Sequence, residues 1–280
     1  MPCPYEMIAL AERRKLGESP LVSISTAHAL AALQVPGVRL GLPPSEPVRR
    51  LPSGIVRLDR LLDGGLPHGY LSEFVGGPSS GRTALMHAVL ASATQRGQLT
   101  AVVDAVDALD PPSLARAGVD LERVLWVRPP TARGALRCAE LILCAGGFGL
   151  VAVDMDPQRR ADRGGRRGDR APFGTLPHAA WVRLAQVTRR AGAVVLLRAP
   201  QRLTVSGAAV VLQLNQLRAQ WSAHVFDGIT TRAELTRSRF GGWEQRVTLA
   251  FGEGSAGAAE VANIPRWSGG GEAVGRAQMR

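Results

Sequence analysis

The sequence predicts an α/β fold with a mostly parallel central sheet, flanked by helices and carrying a phosphate-binding loop. Short apolar runs alternate with helical stretches along most of the chain, which is typical of parallel strands joined by helices. A glycine-rich turn at residues 76–83 also stands between an apolar run and a helical run. Strand, glycine loop and helix in this order are the setting in which such loops bind phosphate.

The glycine-rich turn departs from the standard phosphate-binding loop at one position. In the standard form, backbone N–H groups cradle the phosphates, and a lysine after the last glycine reaches the terminal oxygens. Here that position is an arginine, whose wide planar guanidinium should fit poorly around phosphates. The chain has a single lysine, Lys15, so a general replacement of lysine by arginine also explains the change. The predicted nucleotide-binding residues of the turn are Gly76, Gly77, Pro78, Ser79, Ser80, Gly81, Arg82 and Thr83.

The remaining strands follow in chain order. The apolar run Leu71–Val75 leads into the loop, and a helix begins at Thr83. A further strand is predicted at 194–197, with a helical stretch around 179–182 before it.

Several of these segments together resemble the core of the RecA family of recombinases. The resemblance begins with SGIVRLDRLLDGGLPHGYLSEFVGGPSSGRTAL and continues through VVDAVDALDP at 102–111. LVAVD at 150–154 resembles the strand that ends in a metal-binding aspartate, here Asp154. The resemblance covers about residues 48–252 and implies a RecA-like core with ATP and Mg²⁺ as cofactors.

The same resemblance exposes two further departures. The family's water-activating glutamate would follow Asp104 by two residues, where this chain has Val106, which can neither accept a proton nor orient water. Asp107, one residue along, should point elsewhere. The family's phosphate-sensing glutamine is also missing, because Ala199 stands near its position and Gln201 would serve only after a shift. We therefore expect negligible ATP hydrolysis.

Some features that the resemblance assigns to the nucleotide are retained. Thr83 and Asp154 are the expected Mg²⁺ ligands. Arg237 and Arg239 correspond to the paired interfacial lysines of the family, which reach the nucleotide of a neighbouring subunit. Two exposed arginines with no such role are an equally good interpretation. Nucleotide binding and self-association are thus compatible with the sequence.

The charge balance indicates a polyanionic partner. The chain has 34 basic and 23 acidic residues, a net charge of +11, which favours nucleic acid. Residues 157–172 form a glycine-containing cationic loop directly after Asp154, where the resemblance implies a DNA-binding loop. We expect weak, sequence-independent binding of single-stranded DNA there. The candidate DNA-binding residues are Arg159, Arg160, Arg163, Arg166, Arg167 and Arg170.

The two ends differ from the core. We expect an N-terminal helical element and linker at 1–47, a core at 48–252 and a disordered tail at 253–280. The tail contains one apolar anchor around Trp267. The three cysteines do not form a disulfide framework, and no apolar run approaches membrane-spanning length, so a cytoplasmic location is expected.

The pattern of losses is similar to that of ImuA-type proteins, the accessory RecA relatives of the bacterial damage-induced mutasome. This likeness implies a DNA-damage-response protein, part of the SOS response, that assists error-prone translesion synthesis beside a polymerase-like partner. Two alternatives stay open: an active DNA-dependent ATPase of recombinational repair, and a regulator of cell division similar to SulA.

Overall fold

A mixed sheet of eight strands forms the centre of the described part of the chain. The structure is a computed structural model, and it describes residues 48–156, 176–204, 206–222, 224–240 and 245–252. The chain divides into two units between Pro47 and Val48, and all described residues belong to the second unit. The N-terminal element, the arginine-rich loop 157–172 and the tail 253–280 lie outside the described residues, so the predictions made for them stay predictions.

The elements follow the predicted alternation of strands and helices. The strands are β1 (Arg50–Leu51), β2 (Leu66–Pro67), β3 (Leu71–Gly76), β4 (Leu99–Asp104), β5 (Val124–Val127), β6 (Phe148–Asp154), β7 (Val194–Ala199), β8 (Ala208–Ser222), β9 (Val225–Ser238) and β10 (Arg246–Gly252). The helices are α1 (Val56–Leu61), α2 (Arg82–Gln95), α3 (Pro111–Arg116), α4 (Ala132–Ala145) and α5 (His178–Ala191).

The order of strands across the large sheet is β10-β9-β8-β3-β7-β6-β4-β5. Strands β8, β3, β7, β6, β4 and β5 are parallel to one another, whereas β9 and β10 extend the sheet through antiparallel pairings. The short strands β1 and β2 pair separately. The predicted α/β class with a mostly parallel sheet is confirmed.

The central strands are apolar on both faces, because helices cover both sides of the sheet. Along β6, Leu150 and Ala152 face the hydrophobic cluster that contains α2, while Val151 and Val153 face the cluster that contains α4 and α5. This alternation of side chains is the two-residue period of a strand. It explains why the sequence shows continuous apolar runs here rather than alternating polar and apolar residues.

Two helices start at side-chain caps that the sequence contains. The Asp110 carboxylate accepts a hydrogen bond from the Ser113 N–H, and the Thr131 hydroxyl accepts one from the Gly134 N–H at 3.0 Å. Such caps satisfy backbone donors that have no partner inside the helix. Among the described residues, none of the helices has the length and apolar character needed to cross a membrane.

Gly81 provides a test of how tightly the loop before α2 is packed. Its φ is +85°, and a Cβ atom there would lie 2.8 Å from Thr231 Oγ1 and 3.1 Å from the Phe251 ring. Gly97 has a similar φ of +77° but no neighbour within 4 Å. We expect Gly81→Ala to lower the free energy of unfolding by about 1–3 kcal/mol more than Gly97→Ala, because both share the backbone strain and only one is overpacked. Urea denaturation of the two variants measures the difference. Equal losses of the free energy of unfolding would show that the loop moves to accommodate the added Cβ atom.

Candidate nucleotide-binding site

The phosphate-binding loop has the backbone form that its sequence predicts. Strand β3 ends at Gly76 and the 14-residue helix α2 begins at Arg82. Ser79 and Gly81 both adopt positive φ, and no side chain caps the N-terminus of α2. The first N–H groups of a helix have no partner within it, and they point toward the loop. The scaffold for holding an anion is therefore present.

The residues around the loop come from the carboxyl ends of neighbouring parallel strands. Asp104 on β4, Asp154 on β6 and Arg198 on β7 are consecutive register partners across the sheet. Ala199 on β7 is paired with Val75 on β3. In open α/β sheets, ligands bind in the crevice at these strand ends. The topology thus places the candidate residues at the usual location of a nucleotide site.

The Arg82 side chain is buried, and its guanidinium contacts both the loop and Asp156. Its Nη2 atom donates to Asp156 Oδ2 at 3.0 Å and to the Gly77 carbonyl at 3.2 Å, and its Nε donates to Ser80 Oγ at 3.3 Å. The side chain is only 4% exposed. Burial lowers the pKa of Arg82, which the nearby Asp156 carboxylate opposes. The guanidinium therefore has a carboxylate inside the protein as its counter-ion.

A second buried arginine, Arg198, joins the two predicted metal ligands. Its Nη1 atom lies 2.8 Å from Thr83 Oγ1, and its Nη2 donates to Asp154 Oδ2. Arg198 is 2% exposed and Asp154 is 3% exposed. Burial raises the pKa of Asp154, and the Arg198 guanidinium opposes that rise. Ion pairs excluded from water in this way are costly to break from one side.

Some polar atoms of this buried network are left without partners among the described residues. They are Arg82 Nη1, Asp154 Oδ1 and Arg198 Nε. An unpaired buried donor or acceptor carries the cost of losing water, about 1–3 kcal/mol. The network is therefore held by its two ion pairs while three of its atoms remain unsatisfied.

The predicted Mg²⁺ ligands do not fit the ion in this arrangement. Mg²⁺ needs oxygen ligands at about 2.0–2.1 Å in near-octahedral geometry and usually retains several waters. Thr83 Oγ1 and Asp154 Oδ2 both accept N–H groups from one guanidinium, which occupies the space between them. A divalent cation there would have to displace a buried positive charge.

Among the described residues, no acid lies at the position where the catalytic glutamate would be needed. Val106 is 1% exposed and packs in the apolar cluster on the α4–α5 side of the sheet. Asp107 has a φ of +53°, and its exposed carboxylate lies 3.5 Å from Arg128 Nη1. Asp104 Oδ2 accepts the Ala108 and Leu109 N–H groups at 2.9 Å, so it shapes the turn after β4. Neither aspartate is arranged to activate water at the loop.

The segment after β7 is short and is tied down by a buried glutamate. Residues 200–207 connect β7 to β8, with Ala199 fully buried and Gln201 exposed. Glu73 on β3 accepts hydrogen bonds from the Leu203 N–H and from Thr204 Oγ1, the latter at 2.7 Å. Burial raises the pKa of Glu73, and these hydrogen bonds oppose the rise. The connection that would carry a phosphate sensor is anchored to the strand that leads into the loop.

Arg237 and Arg239 lie together beside the segment that precedes β8. Their Nη2 atoms donate to the same acceptor, the Ser206 carbonyl, at 3.3 and 3.1 Å. Burial, followed by the positive charges of Arg202 and Arg239, lowers the pKa of Arg237. The guanidinium groups of Arg202, Arg237 and Arg239 thus all contact backbone carbonyls of Thr204 or Ser206. The Arg237–Arg239 role at a neighbour's nucleotide stays a prediction.

Two features of the described residues are missed by sequence reasoning. The sequence indicates only that Arg198 belongs to the connection after β7, because nothing in VVLLRAP signals that its guanidinium turns toward Thr83. An arginine at the end of an otherwise apolar strand is the available signal. The second feature is an exposed aromatic pair near the end of the β8–β9 hairpin, Trp221 and Phe226, whose ring centroids are 5.2 Å apart.

Sequence comparison with known proteins supports the same fold. Residues 34–159 match the family described as the RecA N-terminal domain. This similarity supports a RecA-family core in the matched part of the chain. It is 36% identical over 149 residues to protein RecA of Clavibacter michiganensis subsp. michiganensis, which is 53% of this chain and 40% of that relative. It is also 36% identical over 143 residues to protein RecA of Thermus thermophilus, which is 51% of this chain and 41% of the relative.

The RecA-family match is confined to part of the chain and part of each relative. A third relative, protein RecA of Acidothermus cellulolyticus, is 35% identical over 149 residues, or 42% of its length. The chain thus matches less than half the length of these curated relatives. The matched family segment ends at residue 159 and so contains the loop and Asp154, but not Arg198, Arg237 or Arg239.

Proposed function

We propose that this protein is a RecA-like accessory factor of error-prone translesion synthesis in the DNA-damage response, without nucleotide hydrolysis of its own. One observation carries the proposal: both buried arginines at the loop are paired with carboxylates of the protein itself. Arg82 is bonded to Asp156, and Arg198 joins Asp154 to Thr83. A core with this arrangement retains its fold as a platform for partners.

The chemistry of phosphoryl transfer explains why hydrolysis should be lost. Catalysis rests on positioning and on stabilising the charge that develops on the transferred group. The guanidinium of Arg82 is directed at Asp156 and the Gly77 carbonyl, so its charge is already paired within the protein. Val106 cannot activate the attacking water. ATP binding without turnover is compatible with the open N-terminus of α2.

DNA is the second component of the proposal. The net charge of +11 and the arginine-rich loop after Asp154 both favour a polyanion. The proposed ligand is single-stranded DNA of any sequence, because phosphate contacts position a protein without reading bases. In this proposal the protein binds DNA near a lesion while a polymerase-like partner extends the strand. Association with a second copy is part of the proposal through Arg237 and Arg239.

The DNA proposal predicts a specific change in salt dependence. Replacing Arg163, Arg166, Arg167 and Arg170 with alanine should weaken binding to an oligothymidine and flatten the salt dependence of the affinity. Each phosphate that the variant no longer neutralises should reduce the log–log slope by about 0.7 on single strands. Fluorescence anisotropy over a series of salt concentrations measures both quantities.

The matched control removes the same charge from the described surface of the core. It is the alanine variant of four exposed arginines, Arg57, Arg60, Arg116 and Arg123. Net charge falls equally in both variants. A larger loss of DNA affinity and of salt dependence in the loop variant would therefore locate the DNA site in the loop. Equal slopes in the two variants would show that the loop is not where DNA binds.

The accessory role itself is tested by recovering the native complex from DNA-damaged cells. We expect a polymerase-like protein to co-purify with the full chain, and deletion of residues 253–280 to reduce its recovery. Trp267 is the expected anchor, because a buried tryptophan at an interface can contribute about 2 kcal/mol or more. Trp267→Ala should reproduce the loss, whereas Trp221→Ala, at an exposed tryptophan of the core, should not.

Recovery of the native complex, together with assays of ATP turnover and damage-induced mutagenesis, separates the alternatives. Recovery of the division tubulin instead of a polymerase-like protein would favour a regulator of cell division. Magnesium-dependent ATP turnover stimulated by single-stranded DNA would favour a recombinational ATPase. If the truncated chain retains its partner and restores damage-induced mutagenesis, the tail is not the interface, and the N-terminal element around Ile8 and Leu10 becomes the expected one.

A further inference from the structure

The guanidinium of Arg198 links three separate elements at the loop. Arg198 is the penultimate residue of β7, Asp154 is the last residue of β6, and Thr83 lies in the first turn of α2. One nitrogen of Arg198 donates to each of the two oxygens. If Arg198 served only to join β6 and β7, its ion pair with Asp154 would be sufficient. The additional bond at 2.8 Å ties the first turn of the helix to the sheet.

The two acceptors of Arg198 are the same two oxygens that were predicted to bind Mg²⁺. A metal ion at this place would contact the threonine hydroxyl and the aspartate side, directly or through water. Like the metal ion, a guanidinium supplies both groups with a positive charge and directed contacts, but it is fixed to the chain. Arg82 lies close enough to Arg198 for the two charges to interact, and its charge further lowers the attraction of the site for cations.

We propose that the Arg198 guanidinium takes the place of the magnesium ion in this loop, as a permanent internal cation between Thr83 and Asp154. The first turn of α2 is then held against β6 and β7 without metal or nucleotide. The loop has the same conformation whether or not Mg²⁺ is present. This inference concerns the metal alone and stands whether or not the accessory role proposed above is correct.

The experiment measures binding of Mn²⁺, as a paramagnetic probe, and the effect of Mg²⁺ on the melting temperature of the full chain. The first comparison is between the wild-type protein and Asp154→Asn. We expect both to give the same Mn²⁺ binding by water-proton relaxation, and each to have a Tm that millimolar Mg²⁺ does not change. Mn²⁺ binding by the wild type that disappears in Asp154→Asn would overturn the proposal.

The second comparison removes the internal cation. In Arg198→Leu, the Asp154 carboxylate is left without its counter-ion, so the variant should gain a Mn²⁺ site and a Tm that rises with Mg²⁺. The rise should be about 1–2 °C when Mg²⁺ reaches its dissociation constant. The double variant Arg198→Leu/Asp154→Leu should not show this response, because the ligand is gone.

A matched control asks whether any buried carboxylate responds in this way. Arg183 Nε donates to Glu140 Oε1 at 2.7 Å, and Glu140 is 2% exposed. Glu140 also accepts a hydrogen bond from Arg137 Nη1 at 3.3 Å. The control Arg137→Leu/Arg183→Leu removes both guanidinium groups and should destabilise the fold without creating a response to Mg²⁺. A folded Arg198→Leu variant that gains no metal binding would overturn the proposal. If that variant does not fold, the comparison of the wild type with Asp154→Asn decides the question.

Discussion

Reverting both catalytic departures is expected to leave ATP hydrolysis undetectable. The double variant Arg82→Lys/Val106→Glu restores the phosphate-contacting lysine and the water-activating acid, each of which is worth roughly 10²–10⁴-fold in rate. It nevertheless leaves Arg198 between Thr83 and Asp154, where we propose that it takes the place of the metal that must neutralise the phosphates. Phosphate release assayed with Mg²⁺, with and without single-stranded DNA, measures the result.

The wild-type protein is the reference for that measurement. We expect its turnover to be several orders of magnitude below that of an active recombinase. A wild-type protein that turns over ATP at recombinase rates, and no longer does so in Arg82→Ala, would contradict the proposed function. An inactive wild type with an active double variant would leave the function intact and contradict only the role given to Arg198.

The buried Arg82–Asp156 pair is expected to contribute far more to stability than an exposed ion pair of the same length. Arg82→Met should lower the free energy of unfolding by about 3–5 kcal/mol, because the Asp156 charge would be left in the interior without this partner. The exposed pair of Arg123 and Asp120 has the same 3.0 Å separation. Arg123→Met should cost no more than about 1 kcal/mol, since water screens that pair.

A double variant distinguishes the ion pair from simple packing. Arg82→Met/Asp156→Leu removes both charges, and we expect it to recover most of the stability that the single variant lacks. Denaturant unfolding of all four proteins at one pH gives the comparison. If Arg82→Met and Arg123→Met cost the same, the buried position of Arg82 contributes nothing to stability.

The expected stability of the site and its proposed lack of hydrolysis have the same physical origin. A guanidinium forms several directed bonds in one plane, and in the interior it must be paired with a carboxylate. Once Arg82 and Arg198 are paired with Asp156 and Asp154, their charges are largely neutralised by the protein. The positive potential that a triphosphate would need at the loop is reduced accordingly.

The sequence by itself determined the fold class, because the apolar runs, the glycine loop and the order of elements are local signals. The continuous apolar run Leu150–Val153 predicts a strand buried on both faces, and Gly81 occupies the left-handed position that its loop requires. The absence of a carboxylate at Val106 was also plain from the sequence. Such features depend on neighbours along the chain, so they can be read without knowing the fold.

Only the tertiary structure decided where the charged side chains go. Arg198 is 115 residues from Thr83 and 44 residues from Asp154 along the chain. The parallel register of β6 and β7 brings Asp154 and Arg198 to one edge of the sheet. Whether a guanidinium faces a phosphate or an internal carboxylate depends on which partners burial makes available. No local pattern in the sequence contains that information, since the partners come from separate strands and a helix that meet only when the sheet is assembled.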